Sequence, residues 1–206
     1  MPSAASSSDL ELLEAWRGGD LRAGNALFQR HFAALSRFFR NKIDVGVEDL
    51  IQDTFLACVE GRDRFAGRSS FRTYLFSVAR HLLYARYRRR QRDLDVTVTS
   101  VIDLGASPSR PLGRREEEAA LLKALRSIPI EHQIALELAY WEGMKGPEIA
   151  EILGITANTA RSRLARARAA LRKALADDGA SLRLSSVTPT YLDAWAASLR
   201  DVVAAG

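Results

Sequence analysis

Apolar residues recur at helical spacing along almost the whole chain, and glycine or proline marks nearly every point where the recurrence stops. A chain with that period and almost no alternating runs buries its side chains by packing helix on helix. Ser8-Asp9-Leu10-Glu11 reads as a capping box opening a first helix, with Leu10, Leu13 and Trp16 on one face and Gly18-Gly19 as its end. Asp20 can cap a second helix running to about Arg40. Leu27, His31, Leu35 and Phe38 form its stripe, with Phe28, Phe32 and Phe39 beside it. So wide an apolar face belongs to a helix buried between neighbours. Gly46 precedes a third helix, which turns Val47, Leu50, Ile51, Phe55 and Cys58 inward and Glu48, Asp49 and Asp53 outward, and Gly61 stops it. After a short loop, Ser70 caps a long fourth helix with Phe71, Leu75, Val78 and Leu82 as its expected buried stripe. That helix ends in an arginine-dense run reaching Arg92.

Over residues 93–115 the periodicity lapses, and Gly105, Pro108, Pro111 and Gly113 appear among serines, as in a solvated linker. The run Val96–Ile102 could make one strand, but it has no second strand to pair with. Helical spacing resumes with Leu121, Leu122 and Leu125, then Ile134, Leu138 and Trp141, then a helix started by Pro147 and a basic helix from Ala157 to about Ala176. The expected fold is all-α. Residues 1–8 form a disordered tail, 9–92 a four-helix unit, 93–115 a flexible linker, 116–177 a second helical unit and 178–206 an extension. Leu192, Trp195, Leu199 and Val202 make a short amphipathic stripe in that extension, expected to pack back on one of the units.

Composition removes several function classes. The 206 residues are 47% hydrophobic, enough for a real core. The single cysteine, Cys58, excludes an internal disulfide and a cysteine zinc cluster, and His31, His81 and His132 lie too far apart in sequence for a ligand motif. No metal site and no cofactor is expected. No apolar run approaches a membrane span, and the N-terminus has neither the charge nor the apolar stretch of a secretory signal, so a cytoplasmic chain without membrane insertion is expected. His31 lies on an apolar stripe and reads as structural, and Cys58 as an inert core thiol. Nothing here suggests an enzyme. The formal charge is +5, and lysine occurs only at positions 42, 123, 145 and 173, so the basic side is overwhelmingly arginine. The guanidinium fork suits phosphate and guanine edges.

Two segments carry the functional signal. In the first, Pro147-Glu148-Ile149-Ala150-Glu151-Ile152-Leu153-Gly154-Ile155-Thr156, a short helix, a glycine turn and a capped second helix make a helix-turn-helix. Its second helix presents Asn158, Arg161, Ser162, Arg163, Arg166 and Arg168, with Leu164, Leu171 and Leu175 inward. The second segment, residues 64–92, interleaves arginines with Phe65, Phe71, Tyr74, Phe76, Tyr84 and Tyr87. Arginine neutralises phosphates and exposed rings stack unpaired bases. Phe71 and Phe76 read as core, while Tyr84, Tyr87 and the loop Phe65–Ser70 are the better surface candidates.

The order of these parts resembles the extracytoplasmic-function (group IV) sigma factors, two-domain specificity subunits of bacterial RNA polymerase. The N-terminal likeness is VEDLIQDTFLACVEGRDRFAGRSSFRTYLFSVARHLLYARYRR, which is similar to the family's EDLxQxxF helix, RF, small polar loop and SFxxWLxxIARN. The C-terminal likeness is EGMKGPEIAEILGITANTARSRLARARAALRKAL, similar to EGLSYxEIAEILGxxxGTVxSRLxRAR. The resemblance covers residues 9–177 apart from the linker. Tyr74 stands where many members have Trp, His81 where many have Asn, and Asn158 where Gly is common.

The resemblance implies a sigma region 2 unit and a sigma region 4 unit, with roles for individual residues. Glu48, Asp49, Gln52 and Asp53 would dock on the beta-prime clamp of core RNA polymerase. Arg64, Phe65, Arg68, Ser69, Ser70, Arg72, Tyr74, Arg80, His81, Tyr84 and Arg88 would open and hold the −10 element. Thr156, Asn158, Thr159, Arg161, Ser162, Arg163 and Arg166 would read the −35 element. Partners would be core polymerase (clamp and beta flap), double-stranded and melted promoter DNA, and, where one exists, an anti-sigma factor. The competing reading is a stand-alone helix-turn-helix regulator, which leaves the acidic and aromatic features of the first unit without a role.

Overall fold

The computed structural model describes residues 8–62, 65, 69–93 and 114–177, which contain eight α-helices. These are α1 (Asp9–Arg17), α2 (Leu21–Arg40), α3 (Val47–Gly61), α4 (Phe71–Asp93), α5 (Arg114–Ser127), α6 (Ile130–Leu136), α7 (Gly146–Leu153) and α8 (Ala157–Asp177). The α6 helix runs into a π-helical turn, Glu137–Trp141. The Ser8–Glu11 capping box is formed, and Asp20 accepts from the backbone N–H groups of Arg22 and Ala23. The 178–206 extension, with its apolar stripe, and the run at residues 96–102 lie outside the described residues.

Helices α1 to α4 pack around Leu27, Leu35, Phe39, Cys58, Leu75, Phe76 and Leu83, all fully buried. Burying one such side chain contributes about 1.5–3 kcal/mol. Gly24 lets α1 cross α2 closely: a Cβ there would sit 2.6 Å from the Trp16 ring. The ring of Trp16 meets Phe28 edge-on at 5.1 Å, and Phe28 stacks on Phe55 at 4.5 Å. His31 is buried as expected, its Nε2 2.7 Å from the Asp9 carboxylate. Burial also pushes the Cys58 thiol up to about 12, which keeps it inert.

The buried arc of α4 differs from the expected stripe. Phe71, Leu75, Phe76, Ala79 and Leu83 are buried, while Val78 and Leu82 are half-buried. The reason is that α4 is covered from two directions, by α3 and by α7 of the second unit. Likewise Phe32, expected within the buried face of α2, is 49% exposed.

The second unit has its own core of Leu121, Leu125, Leu136, Trp141, Ala167, Leu171 and Leu175. Its other face, including Ile134, Leu138, Ile149 and Leu153, belongs to the same apolar cluster as the core of the first unit. The two units are therefore packed against each other. Arg126, near the end of α5, strengthens the junction by donating to the backbone carbonyls of Arg40 and Asn41 at the end of α2, where a cation also suits the helix dipole.

Candidate partner and nucleic-acid surfaces

Helix α3 starts at Gly46, which adopts the left-handed conformation and leaves the helix without a side-chain cap. Acidic Glu48 and Asp49 in the first turn compensate the exposed N–H groups through the helix dipole. Glu48, Asp49, Gln52 and Asp53 are all exposed. They form two rows. Glu48 and Gln52 border an apolar groove lined by Phe32, Phe55, Leu56 and Val59. Asp53 borders a second depression with Leu50, Arg86 and Arg89. Leu56 and Val59 are 53% and 43% exposed. Outward polar residues are legible in the sequence; these apolar neighbours are not, because only the tertiary fold shows that nothing among the described residues covers them.

The loop after α3 is held at its described points. Arg17 on α1 donates to the carbonyls of Arg62 and Phe65, and its guanidinium lies 5.6 Å from the Phe65 ring centre. Phe65 stacks on Tyr74 at 4.7 Å, so the two candidate rings are already paired with each other. Ser70 Oγ accepts from the Thr73 N–H at 3.1 Å, the expected cap. Ser69 is half-buried, while Arg64 and Arg68 lie outside the described residues. His81 is exposed, with Nδ1 2.7 Å from the Ser77 carbonyl, and Arg88 is exposed further along α4.

The remaining candidates on α4 end on carboxylates of the second unit. Arg72 pairs with Glu142, which also takes Arg37 at 3.1 Å. Arg80 reaches Glu131 at 3.2 Å and lies over the Tyr84 ring, 4.9 Å from its centre. The Tyr84 hydroxyl donates to the same Glu131 oxygen. Burial first, then the Glu131 carboxylate, raises the Tyr84 pKa. Tyr87 is equally occupied, donating to the Lys42 carbonyl at 2.9 Å, and burial raises its pKa to about 12. Both tyrosines, expected at the surface, are thus half-buried at or near the junction.

Within the second unit, Ile149, Ala150, Ile152 and Leu153 are buried on α7 and Gly154 takes φ 65°, the left-handed turn expected of a helix-turn-helix. Thr156 caps α8 by accepting from the Thr159 N–H at 3.2 Å. Asn158, Arg161 and Ser162 stand exposed on α8, with Arg161 donating to Asn158 Oδ1 at 3.2 Å. Thr159 is half-buried, and Arg166 is exposed, donating to Ser162 Oγ at 3.2 Å. Arg163 departs from this group and pairs with Glu131. Arg168 turns back to the Tyr140 hydroxyl at 3.1 Å.

A buried ion pair completes the junction. Lys42 Nζ, at the end of α2, meets Glu137 on the π-helical turn, donates to the Phe38 carbonyl at 2.7 Å and sits 3.9 Å from the Phe38 ring centre. Burial pushes the Lys42 pKa down and that of Glu137 up, each opposed by the other's charge. Glu131, Glu137 and Glu142 are the residues that sequence reasoning missed.

Comparison with known proteins fits this arrangement. Residues 27–93 match the Sigma-70 region 2 family, and residues 118–171 match Sigma-70, region 4. The RNA polymerase sigma factor NccH of Alcaligenes xylosoxydans xylosoxydans is 32% identical over 74% of this chain and 87% of its own length. The RNA polymerase sigma-H factor of Pseudomonas aeruginosa is 30% identical over 81% of this chain and 93% of its own. Among solved structures, CnrH in complex with the cytosolic domain of CnrY is 27% identical, covering 84% of this chain and 99% of that one, with a TM-score of 0.65. The sigma factor RpoE in complex with the anti-sigma factor NepR, from Bartonella quintana, is 28% identical over 70% of this chain and 91% of that one, with a TM-score of 0.55. With an acidic helix, an arginine-rich helix and a helix-turn-helix in this order, the chain belongs to the extracytoplasmic-function sigma factors, which join core RNA polymerase and direct it to promoters.

Proposed function

We propose that three surfaces divide the work of promoter recognition. The exposed α3 residues Glu48, Asp49, Gln52 and Asp53 dock on the beta-prime clamp of core polymerase. The loop through Phe65, Ser69 and Ser70, together with Arg72, Tyr74, Arg80, His81, Tyr84 and Arg88, holds the opened −10 strand; Arg64 and Arg68 belong to this group by sequence. Extruding a base costs a few kcal/mol, which a pocket, stacking and phosphate contacts must offset. Thr156, Asn158, Thr159, Arg161, Ser162, Arg163 and Arg166 read the −35 element in the major groove, while the second unit rests on the beta flap. Residues 9–92 and 116–177 are the two functional units and 93–115 their linker. The chain makes and breaks no bond itself, works in the cytoplasm, and is a target for an anti-sigma factor like the one bound to the Bartonella relative.

One observation carries this reading: an exposed acidic helix face and a helix-turn-helix with solvent-facing Asn158, Arg161 and Ser162 occur on one chain. The test is transcription in vitro with core polymerase and a library of genomic fragments, reading start sites. Specific starts should require both the chain and core. Sequence-specific binding by the chain alone, unchanged by core, would favour the stand-alone regulator.

A further inference from the structure

Helix α1 precedes the segment that matches Sigma-70 region 2, which begins at residue 27, yet its last two residues grip the candidate −10 surface. Trp16 sits in the notch that Gly24 leaves in α2, and the Arg62 guanidinium lies 5.4 Å from its ring centre. Arg17 donates from Nε and Nη2 to the Arg62 carbonyl at 3.3 and 3.2 Å. Its Nη2 also donates to the Phe65 carbonyl, 48 residues away in sequence. These carbonyls stand at and just beyond the C-terminal end of α3, where backbone acceptors run out of helical partners and a cation suits the helix dipole. The same guanidinium lies 5.6 Å from the Phe65 ring centre, within cation–π range.

One ring stack passes this grip on to α4. Phe65 lies on Tyr74 at 4.7 Å and 29°, and the Tyr74 N–H donates to the Ser70 carbonyl at 3.1 Å. The Tyr74 hydroxyl reaches back to the end of α3: a Cβ on Gly61 would sit 2.1 Å from it. The two rings are thus fixed from both ends, Phe65 by Arg17 and Tyr74 by its close approach to Gly61. A stacking platform captures a base best when it is already rigid, because rings that wander must be ordered at the moment of binding. Arg17 commits Nε and Nη2 to protein carbonyls, so what it offers a DNA strand through Phe65 and Tyr74 is geometry.

We propose that Arg17 is a positioning residue for the −10 element: by tying α1 to the carbonyls of Arg62 and Phe65, it sets the Phe65–Tyr74 stack against which an unpaired base is selected. The proposal rests on the assignment of Phe65 and Tyr74 to the −10 strand, and it gives α1 a part in promoter opening. A phosphate contact acts on every sequence and on the salt slope. A positioning contact acts on base preference and leaves the salt slope alone.

The test uses holoenzyme assembled from the full-length chain. The probe is a single-stranded oligonucleotide carrying the non-template −10 segment of a promoter mapped by start-site sequencing, with copies substituted at each base. Arg17→Gln should reduce the preference for the matched strand about 10-fold, the scale of one base–aromatic stack, with core affinity and salt slope unchanged. Gly61→Ala leaves Arg17 in place and disturbs the stack from its other end, so it should show the same loss even if Arg17→Gln folds poorly. Unchanged preference in either folded variant overturns the proposal. So does a uniform weakening of all strands with a salt slope lower by about 1, which would make Arg17 a phosphate contact. Tyr74→Ala locates the fault: intact preference there means the −10 assignment failed, and lost preference there beside normal Arg17→Gln means only the positioning failed.

Discussion

On α3, Glu48, Asp49, Gln52 and Asp53 all stand in solvent, whereas on α4, Arg72, Arg80 and Tyr84 all end on carboxylates of the second unit. Both helices expose one polar face by pattern, and both faces are candidate binding surfaces. The difference is that α3 packs mainly on α2 and α4 of its own unit, whereas α4 also packs against α7 of the second unit. A polar helix face can thus be a free surface or half of an interface, and its own spacing does not distinguish them. Charges at a sealed interface cost desolvation and must be paired, whereas charges in water contribute little to folding until a partner arrives.

The comparison breaks most visibly at Lys42. Lys42→Met leaves Glu137 buried without its cation and should remove about 3–5 kcal/mol from the closed state. A lowered urea midpoint and a larger particle in scattering would show it. Adding Glu137→Leu should recover most of the loss; if it does not, the pair is not the cause.

On the open face the expected change is in binding alone. Asp49→Arg with Asp53→Arg should weaken core polymerase binding about 100-fold or more by reversing the charge offered to a basic partner. The urea midpoint should stay within about 0.5 kcal/mol of wild type, as for surface substitutions generally. Unchanged affinity in titration at moderate salt would remove the docking assignment.

A smaller effect sharpens the contrast within α8. Arg161→Ala should cost about 1–3 kcal/mol of discrimination at one or two −35 positions. Arg166→Ala should weaken all promoters alike and lower the salt slope. Competition of holoenzyme binding across a −35 library at two salt concentrations separates the two, and exchanged phenotypes would reverse the sorting of this face.

The smallest effect is acidic. Burial lowers the His31 pKa below its ordinary 6.5 despite the pull of Asp9. The unfolded chain therefore takes up the proton first, so stability should decline as pH falls below 6.5. Burial by itself would raise the Asp9 pKa. Its hydrogen bond from Arg30 and the charge and hydrogen bond of His31 outweigh that and hold it below 3.8, adding a loss at still lower pH. Melting temperature against pH should show the first decline, and His31→Gln should flatten it.

By itself the sequence determined what depends on neighbours a few residues apart. The caps at Ser8, Asp20, Ser70 and Thr156, the left-handed turn at Gly154, the outward acids of α3 and the buried His31 and Cys58 all follow from local hydrogen bonding, sterics and period. The family pattern rests on the same local features. Tertiary structure alone decided the buried arc of α4, the exposure of Phe32, the pinning of Phe65 by Arg17 and the fate of the basic face. Arg72, Arg80 and Tyr84 find their carboxylates 70, 51 and 47 residues away, and Lys42 finds Glu137 95 residues away. An arginine facing water and an arginine facing a distant glutamate have the same helical spacing. Only the packing of one unit on the other, driven by apolar faces that local pattern leaves unassigned to a partner, settles which of the two it is.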